Sequence, residues 1–420
     1  MRKNNSFVKT GFYVIALAAG LLLMPAGLFA DNDKPDDLSA LISEARKINP
    51  EILSAKNSFE AAYARISQAG SLSDPALEFE YDRTIRNADG NPMKTIGVSQ
   101  EIPFPTKLYL RAKIAAKLAK MAYEDYQAKE RDVISRVKTV YAEVMLTEKM
   151  IAINKENKEV LNGFYKTATS RYASGKSVQA DALKAQVEIS RVDNELILLE
   201  QKRTVARARL NILLDKDPQA DIAISTQGPV EFTRSVEDFY RLARENNQEL
   251  KAYGYAVERG KAAYDLSINE YLPDFMFRFK QEVAKGRSVN GSWAGMVGVT
   301  IPFWFFEKQA FGVKEMKADL NMLKAEYKGK ENSVLFDVTE AYARAASAKK
   351  LIELYEASFI PQAESAFNAA SKSYETQGAD FLSALDSRRM LLSFKIDYYK
   401  TILDFRMALA DLERVVGTDI

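Results

Sequence analysis

Residues 178–213 constrain this chain more than any other stretch. In alternating steps of four and three they read Val178, Ala182, Ala185, Ile189, Val192, Leu196, Leu199, Arg203, Ala206, Leu210 and Leu213, apolar at every position but Arg203. That spacing lays one stripe of a helix against a partner helix, as in a coiled coil. Shifted by 202 residues, a looser seam runs through Ala384, Leu391, Phe394, Tyr398, Phe405, Ala408, Leu412 and Val415, with Asp380, Ser387 and Thr401 as polar members. The chain is built twice.

The duplication reaches beyond the seams. Ala45-Arg46-Lys47-Ile48-Asn49-Pro50-Glu51-Ile52 and Ala243-Arg244-Glu245-Asn246-Asn247-Gln248-Glu249-Leu250 share four residues of eight at a shift of 198, and Pro273 answers Pro75. Ile301-Pro302-Phe303 answers Ile102-Pro103-Phe104 at 199, Tyr342-Ala343 answers Tyr141-Ala142 at 201, and Tyr374 answers Tyr172 at 202. A unit this long exceeds any solenoid period. One whole architecture has been copied with few insertions.

Repeat 1 spans residues 31–214. Apolar residues every three or four positions, from Leu38 through Ile66, predict one helix over about 36–71, stopped by Pro75. Leu77, Phe79 and Tyr81 alternate with Glu78, Glu80 and Asp82; after Asp89-Gly90-Asn91-Pro92 a second alternation passes Ile96, Val98 and Ile102. This predicts a β-hairpin over 76–102. From 106 to 170 only Gly163 offers a break, and a helix of that length is roughly 100 Å long, too long for a compact domain. Gly175 suits a left-handed turn that ends it, and Ser177 suits the cap of the returning helix at 178–214. A linking segment at 215–235 leads to repeat 2, residues 236–420, with a helix, a hairpin (274–302), a long helix (308–373) and a returning helix (380–416). In each repeat the two shorter helices, placed end to end, match the long one.

Composition removes several function classes. With no cysteine and no histidine the chain has no disulfide, thiolate or imidazole chemistry, and its carboxylates, lysines, serines and tyrosines form no catalytic constellation. No enzyme activity, cofactor or metal centre is expected. Lys+Arg at 59 against Asp+Glu at 57 gives a formal charge of +2 and no reason to invoke nucleic acid. At the N-terminus Arg2, Lys3 and Lys9 precede an uncharged apolar run over 11–30, broken by Pro25 and Gly27 and followed by Asp31 and Asp33. It reads as a signal peptide, residues 1–30; a membrane-spanning anchor also fits its length. Either takes the body out of the cytoplasm.

In the second hairpin Phe275, Phe277 and Phe279 alternate with Met276, Arg278 and Lys280, opposite Trp293, Val297, Val299 and Ile301. A lipid-facing barrel wall and a soluble hairpin packed on helices both fit. If the strands span a membrane, four per chain are too few to close a barrel, and an open edge cannot stand in lipid. Two chains would pool eight strands and three would pool twelve.

This order of parts, with Ser99-Gln100-Glu101-Ile102-Pro103-Phe104-Pro105, Arg171-Tyr172-Ala173-Ser174-Gly175 and Asp181-Ala182-Leu183-Lys184-Ala185-Gln186, resembles the TolC family of outer-membrane efflux proteins over nearly the whole mature chain. The phrase from Asp74-Pro75 through Pro105 is most similar to members paired with heavy-metal or cation pumps. The resemblance implies a homotrimer, mainly α with membrane β: a shared twelve-stranded barrel in the Gram-negative outer membrane and a tunnel of twelve helices across the periplasm. It implies passive export of substrate taken from an inner-membrane efflux pump through a periplasmic adaptor (membrane fusion protein), the pump choosing the cargo. By the same resemblance Arg171, Tyr172, Gly175 and Ser177 form one adaptor-docking tip and Tyr374 and Gly378 the other, where an extra residue separates tyrosine from glycine. Asp386 falls at the family's periplasmic gate, with Asp380 nearer the tip. Carboxylates gathered by threefold symmetry would repel, bind a cation and have raised pKa values; as ordinary helix residues they would simply be solvated. Several relatives carry a lipid on an N-terminal cysteine, which this chain lacks. The rival reading is a periplasmic coiled-coil scaffold without a pore, its hairpins serving protein contacts.

Overall fold

The computed structural model describes residues 38–86, 92–222, 224–225, 232–283, 292–376 and 380–420. The expected leader, the turn residues Asp89, Gly90 and Asn91, and Gly378 lie outside them. The first repeat consists of α1 (Leu38–Ile48), α2 (Pro50–Gly70), β1 (Ala76–Arg86), β2 (Pro92–Ile102), α3 (Pro105–Ala173) and α4 (Gln179–Leu213). The second consists of α5 (Val236–Asn246), α6 (Gln248–Asn269), β3 (Asp274–Glu282), β4 (Trp293–Thr300), α7 (Ala310–Leu354), α8 (Ile360–Glu375) and α9 (Phe381–Val416). At 69 residues, α3 is about 104 Å long.

The single helix expected over 36–71 is two helices, and Asn49 is the reason. Its backbone is extended (φ −61°, ψ 124°) and Pro50 follows, a residue that disfavours helix in its predecessor. The Asn49 carboxamide accepts from the Glu51 and Ile52 N–H groups at 3.0 and 3.3 Å, capping α2, while its Nδ2 donates to the Leu213 carbonyl in the last turn of α4 at 2.9 Å. The second repeat has no proline at this place yet breaks identically. Asn247 accepts from Leu250 N–H at 2.7 Å and donates to the Val415 carbonyl of α9 at 2.6 Å. One side chain thus seals α4 end to end with α2, and its copy seals α9 with α6. Each stacked pair runs alongside a long helix.

The long helix of the second repeat differs from the first. A π-helical turn at Phe305–Gln309 precedes α7 and another at Tyr355–Phe359 separates it from α8. A π turn holds one residue more than an α turn. The shift between copies grows from 201 to 202 across the second turn, as one π turn adds, and from 199 to 201 across the first, one residue more than its π turn adds. The second also sits ahead of Pro361, which lacks the N–H that an unbroken helix requires.

Three apolar clusters hold the helices. Leu41, Ile52, Val137, Tyr141 and Leu210 gather α1–α4, and Phe239, Ala243, Val338, Phe405 and Leu412 gather α5, α7 and α9 of the second repeat. The third lies where the repeats meet near the α3–α4 turn: Leu161, Phe164 and Ala185 with Tyr374, Phe381 and Leu385. The seams supply these contacts: Ala185, Leu199, Leu210, Ala384, Leu391 and Leu412 are all buried, whereas Val178, at the end of its seam, is exposed. Each fully buried leucine contributes about 1.5–3 kcal/mol. The four strands form one antiparallel sheet in the order β1-β2-β3-β4, the hairpins joined through β2 and β3 with Ile102 opposite Phe275. Among the described residues both outer edges, β1 and β4, are unpaired.

Candidate functional site

The sheet has two unlike faces. Leu77, Phe79, Ile96, Phe277, Val297 and Val299 lie on one, all exposed, Leu77 at 78% and Val297 at 67%. Among the described residues no helix of the same chain covers this face, which leaves the reading of a soluble hairpin seated on helices without support in the single chain. The other face carries charge: Ser99 Oγ donates to Glu78 at 2.9 Å, Arg278 lies 3.4 Å from the same carboxylate, and Lys280 pairs with Glu80 at 2.7 Å. An apolar face backed by one salt-bridged between β1 and β3 is the pattern of a wall between lipid and water.

Where strands give way to helices, Lys107 is 2% exposed, and its ammonium donates to the Leu272 carbonyl at 2.9 Å and to both oxygens of Asp274 at 2.9 and 3.0 Å. The same Asp274 carboxylate accepts from Phe104 N–H at 2.8 Å. A buried ammonium persists only when matched this fully. The contact locks the exit of the first hairpin to the entry of the second.

At the opposite end lies the α3–α4 turn. Gly175 has φ +73°, open to glycine and strained for other residues. Tyr172 is 48% exposed there. Ser177 does not cap α4; the capping position is Val178, without a side-chain bond, and the Ser177 hydroxyl donates instead to Asp181 at 2.5 Å. The hydroxyl sits one residue too early to reach the first free N–H groups of the helix.

Arg171 and Tyr374, expected in separate tips, are in contact. The Arg171 guanidinium donates to the Tyr374 carbonyl and lies 4.6 Å from the centre of its ring. Tyr374 is 2% exposed, edge-on to Phe164 and Phe381, and burial pushes its phenol above the ordinary value. Within the chain it is an interior residue that joins the end of α8 to the end of α3. Gly378 lies outside the described residues.

The two gate candidates behave differently. Asp380 is the N-cap of α9, its carboxylate accepting from Ser383 N–H at 2.9 Å. That bond holds its pKa below the ordinary value. Asp386 is exposed and pairs with Arg389 at 3.1 Å; Arg389 also reaches Glu188 of α4 at 2.5 Å. Beside them a cavity of about 200 Å³ is lined by Asn154, Asn157, Glu188, Arg388 and Arg389. Arg388, which no sequence pattern marks, is 5% exposed. It donates to Asn157 at 2.8 Å and lies 5.3 Å from the Phe367 ring, so it ties α9 to α3 and α8. Burial lowers its pKa. No group of three or more acidic side chains among the described residues is arranged to hold a metal ion.

Comparison with known proteins gives this geometry a context. The family model described as outer membrane efflux protein matches the chain twice, over residues 41–215 and 239–418. The chain is 21% identical to the cobalt-zinc-cadmium resistance protein CzcC of Cupriavidus metallidurans, covering 98% of this chain and 97% of that one. It is 20% identical to outer membrane protein TolC of Vibrio cholerae over 96% and 94% of the two chains. Among solved structures, the outer membrane protein VceC of Vibrio cholerae superposes with a TM-score of 0.77 at 18% identity, covering 91% of this chain and 96% of VceC.

Proposed function

The chain belongs to the outer membrane efflux protein family, and from that premise we propose that it is the outer-membrane duct of a tripartite export system. Three chains pool twelve strands into one barrel, and their helices form a tunnel reaching into the periplasm of a Gram-negative cell. Substrate passes down its gradient from an inner-membrane pump through a periplasmic adaptor, which docks on the exposed tip around Tyr172, Gly175 and Ser177 and on the turn that holds Gly378. Asp386 belongs to the constriction. Divalent metal cations are the proposed cargo, in keeping with the resistance for which CzcC is named.

The observation that carries this reading is the sheet, whose apolar face is exposed and whose two edges have no partner among the described residues. In lipid the face is satisfied at once, and the edges are satisfied when chains share a barrel. The charged opposite face suits a water-filled lumen. The test is the mass of the unheated protein, solubilised in detergent from purified outer membranes, by light scattering corrected for detergent. A trimer is expected. A monomer, or protein released with the soluble periplasm, would overturn the duct and leave a coiled-coil scaffold.

A further inference from the structure

The two repeats are related closely enough that side-chain contacts transfer from one to the other. Arg46 pairs with Glu130 at 3.1 Å, and shifts of 198 and 201 residues carry that pair onto Arg244 and Glu331, also at 3.1 Å. The same shifts carry Lys129–Glu51 onto Lys330–Glu249, again a pair. In the sheet, shifts of 200 for β1 and 199 for β2 carry Ala76 opposite Ser99 onto Met276 opposite Gly298, which are partners. Several contacts within a repeat therefore occur twice.

Contacts from the first repeat to the second have no second copy of this kind among the described residues. The lock between Lys107 and Asp274 is such a contact. The shift of 201 carries Lys107 onto Lys308, and the shift of 200 set by the strand registers, in place of the 198 that matches Pro273 with Pro75 by sequence, carries Leu272-Pro273-Asp274 onto Leu72-Ser73-Asp74. Lys308 and Asp74 are both exposed, and neither has an ion-pair partner among the described residues. They sit beside the two free sheet edges, Lys308 just after β4 and Asp74 just before β1.

We propose that β4 of one chain pairs with β1 of a second copy, and that Lys308 binds Asp74 of the partner subunit as Lys107 binds Asp274. This rests on the shared-barrel reading and adds its register. Carrying Val98 opposite Phe279 through the same shifts sets Val297 opposite the partner's Phe79, and Gln100 opposite Phe277 sets Val299 opposite the partner's Leu77. Outward-facing residues meet outward-facing residues throughout, a parity that a one-residue slip would destroy. The second lock is the thinner one: Gly70 stands where Glu270 assists Lys107, and a π turn surrounds Lys308.

The absence of cysteine makes the test clean. With Phe79→Cys and Val297→Cys in one chain, oxidation of isolated outer membranes should link chains into dimers and trimers on non-reducing gels, and either single variant should link none. Tyr81→Cys with Val297→Cys, two residues out of register, should show a marked loss of linking. Lys308→Asp should shift the dissociation temperature of the unheated trimer downward, and Asp74→Lys added to it should restore that temperature. A trimer by light scattering with no 79–297 link, or with links favouring the 81–297 pair, overturns this register while the duct stands. Linking without charge rescue overturns the ion pair. A monomer overturns the shared barrel itself and this inference with it.

Discussion

Replacing Asn49 by alanine removes two functions of one buried side chain. The first is the cap on α2, accepted from Glu51 and Ile52 N–H; caps of this type are worth about 1 kcal/mol. The second is the 2.9 Å bond to the Leu213 carbonyl, and Asn49 is only 2% exposed, so water does not replace it. An orphaned buried acceptor costs about 1–3 kcal/mol. The expected loss is about 2–4 kcal/mol, which is large for a single truncation of a polar residue. Guanidinium unfolding of the detergent-solubilised protein, followed by far-ultraviolet circular dichroism, measures it. Asn49→Asp separates the two functions, because aspartate caps as well as asparagine but has no donor for the carbonyl. It should lose stability at the α4 junction, where a buried carboxylate also faces the Leu213 carbonyl, with α2 still capped. If Asn49→Ala costs less than about 0.5 kcal/mol, the end-to-end junction contributes nothing and the argument from the duplicated asparagines fails. Asn247→Ala should behave alike, since it makes both bonds to α6 and α9.

Further expectations concern the turns and the gate. Gly417 and Gly175 both have positive φ, but a Cβ on Gly417 would lie 2.6 Å from the Asn246 carbonyl while one on Gly175 meets nothing within 4 Å. Gly175→Ala should therefore cost only the left-handed penalty of about 1–2 kcal/mol, with Gly417→Ala clearly worse by thermal melting; equal losses would refute the clash. Gly175→Pro, which cannot adopt that φ, should abolish export and leave membrane insertion intact, and loss of both would place the turn wrongly. Asp386→Ala should raise ion conductance in planar bilayers by freeing Arg389 from one of its two partners, and an unchanged conductance would remove Asp386 from the gate. For Asp380 the sign of the pH effect follows from its lowered pKa: its carboxylate cap is complete above the unfolded value and lost as pH falls through the folded one. Asp380→Asn should keep the first turn of α9 protected from hydrogen exchange at acid pH, where the native chain frays. Equal fraying would assign the cap no role.

The amino-acid sequence by itself determined the duplication, the long helices and the alternating strands, because periods of three to four and of two are written in neighbouring residues and need no knowledge of what lies across from them. Ala185, Leu199, Ala384 and Leu412 are buried for that reason. The apolar alternation of Phe275, Phe277 and Phe279 was equally legible, but whether that face meets helices or stays exposed depends on where α6 and α7 run, and only the packed chain decided it. The candidate site was less legible still. Tyr374 was marked by its match to Tyr172, yet one is buried and the other exposed, because the Arg171 guanidinium and the Phe164 ring approach only the former. Asp380 and Ser177 both precede a helix. Asp380 lies at the distance from which a side chain meets a free N–H, and Ser177 lies one residue short of it. Asn49 and Asn247 stood in the sequence as an unexplained identity between copies. Their role depends on carbonyls 164 and 168 residues away along the chain, and no local pattern records what tertiary structure places within hydrogen-bonding reach.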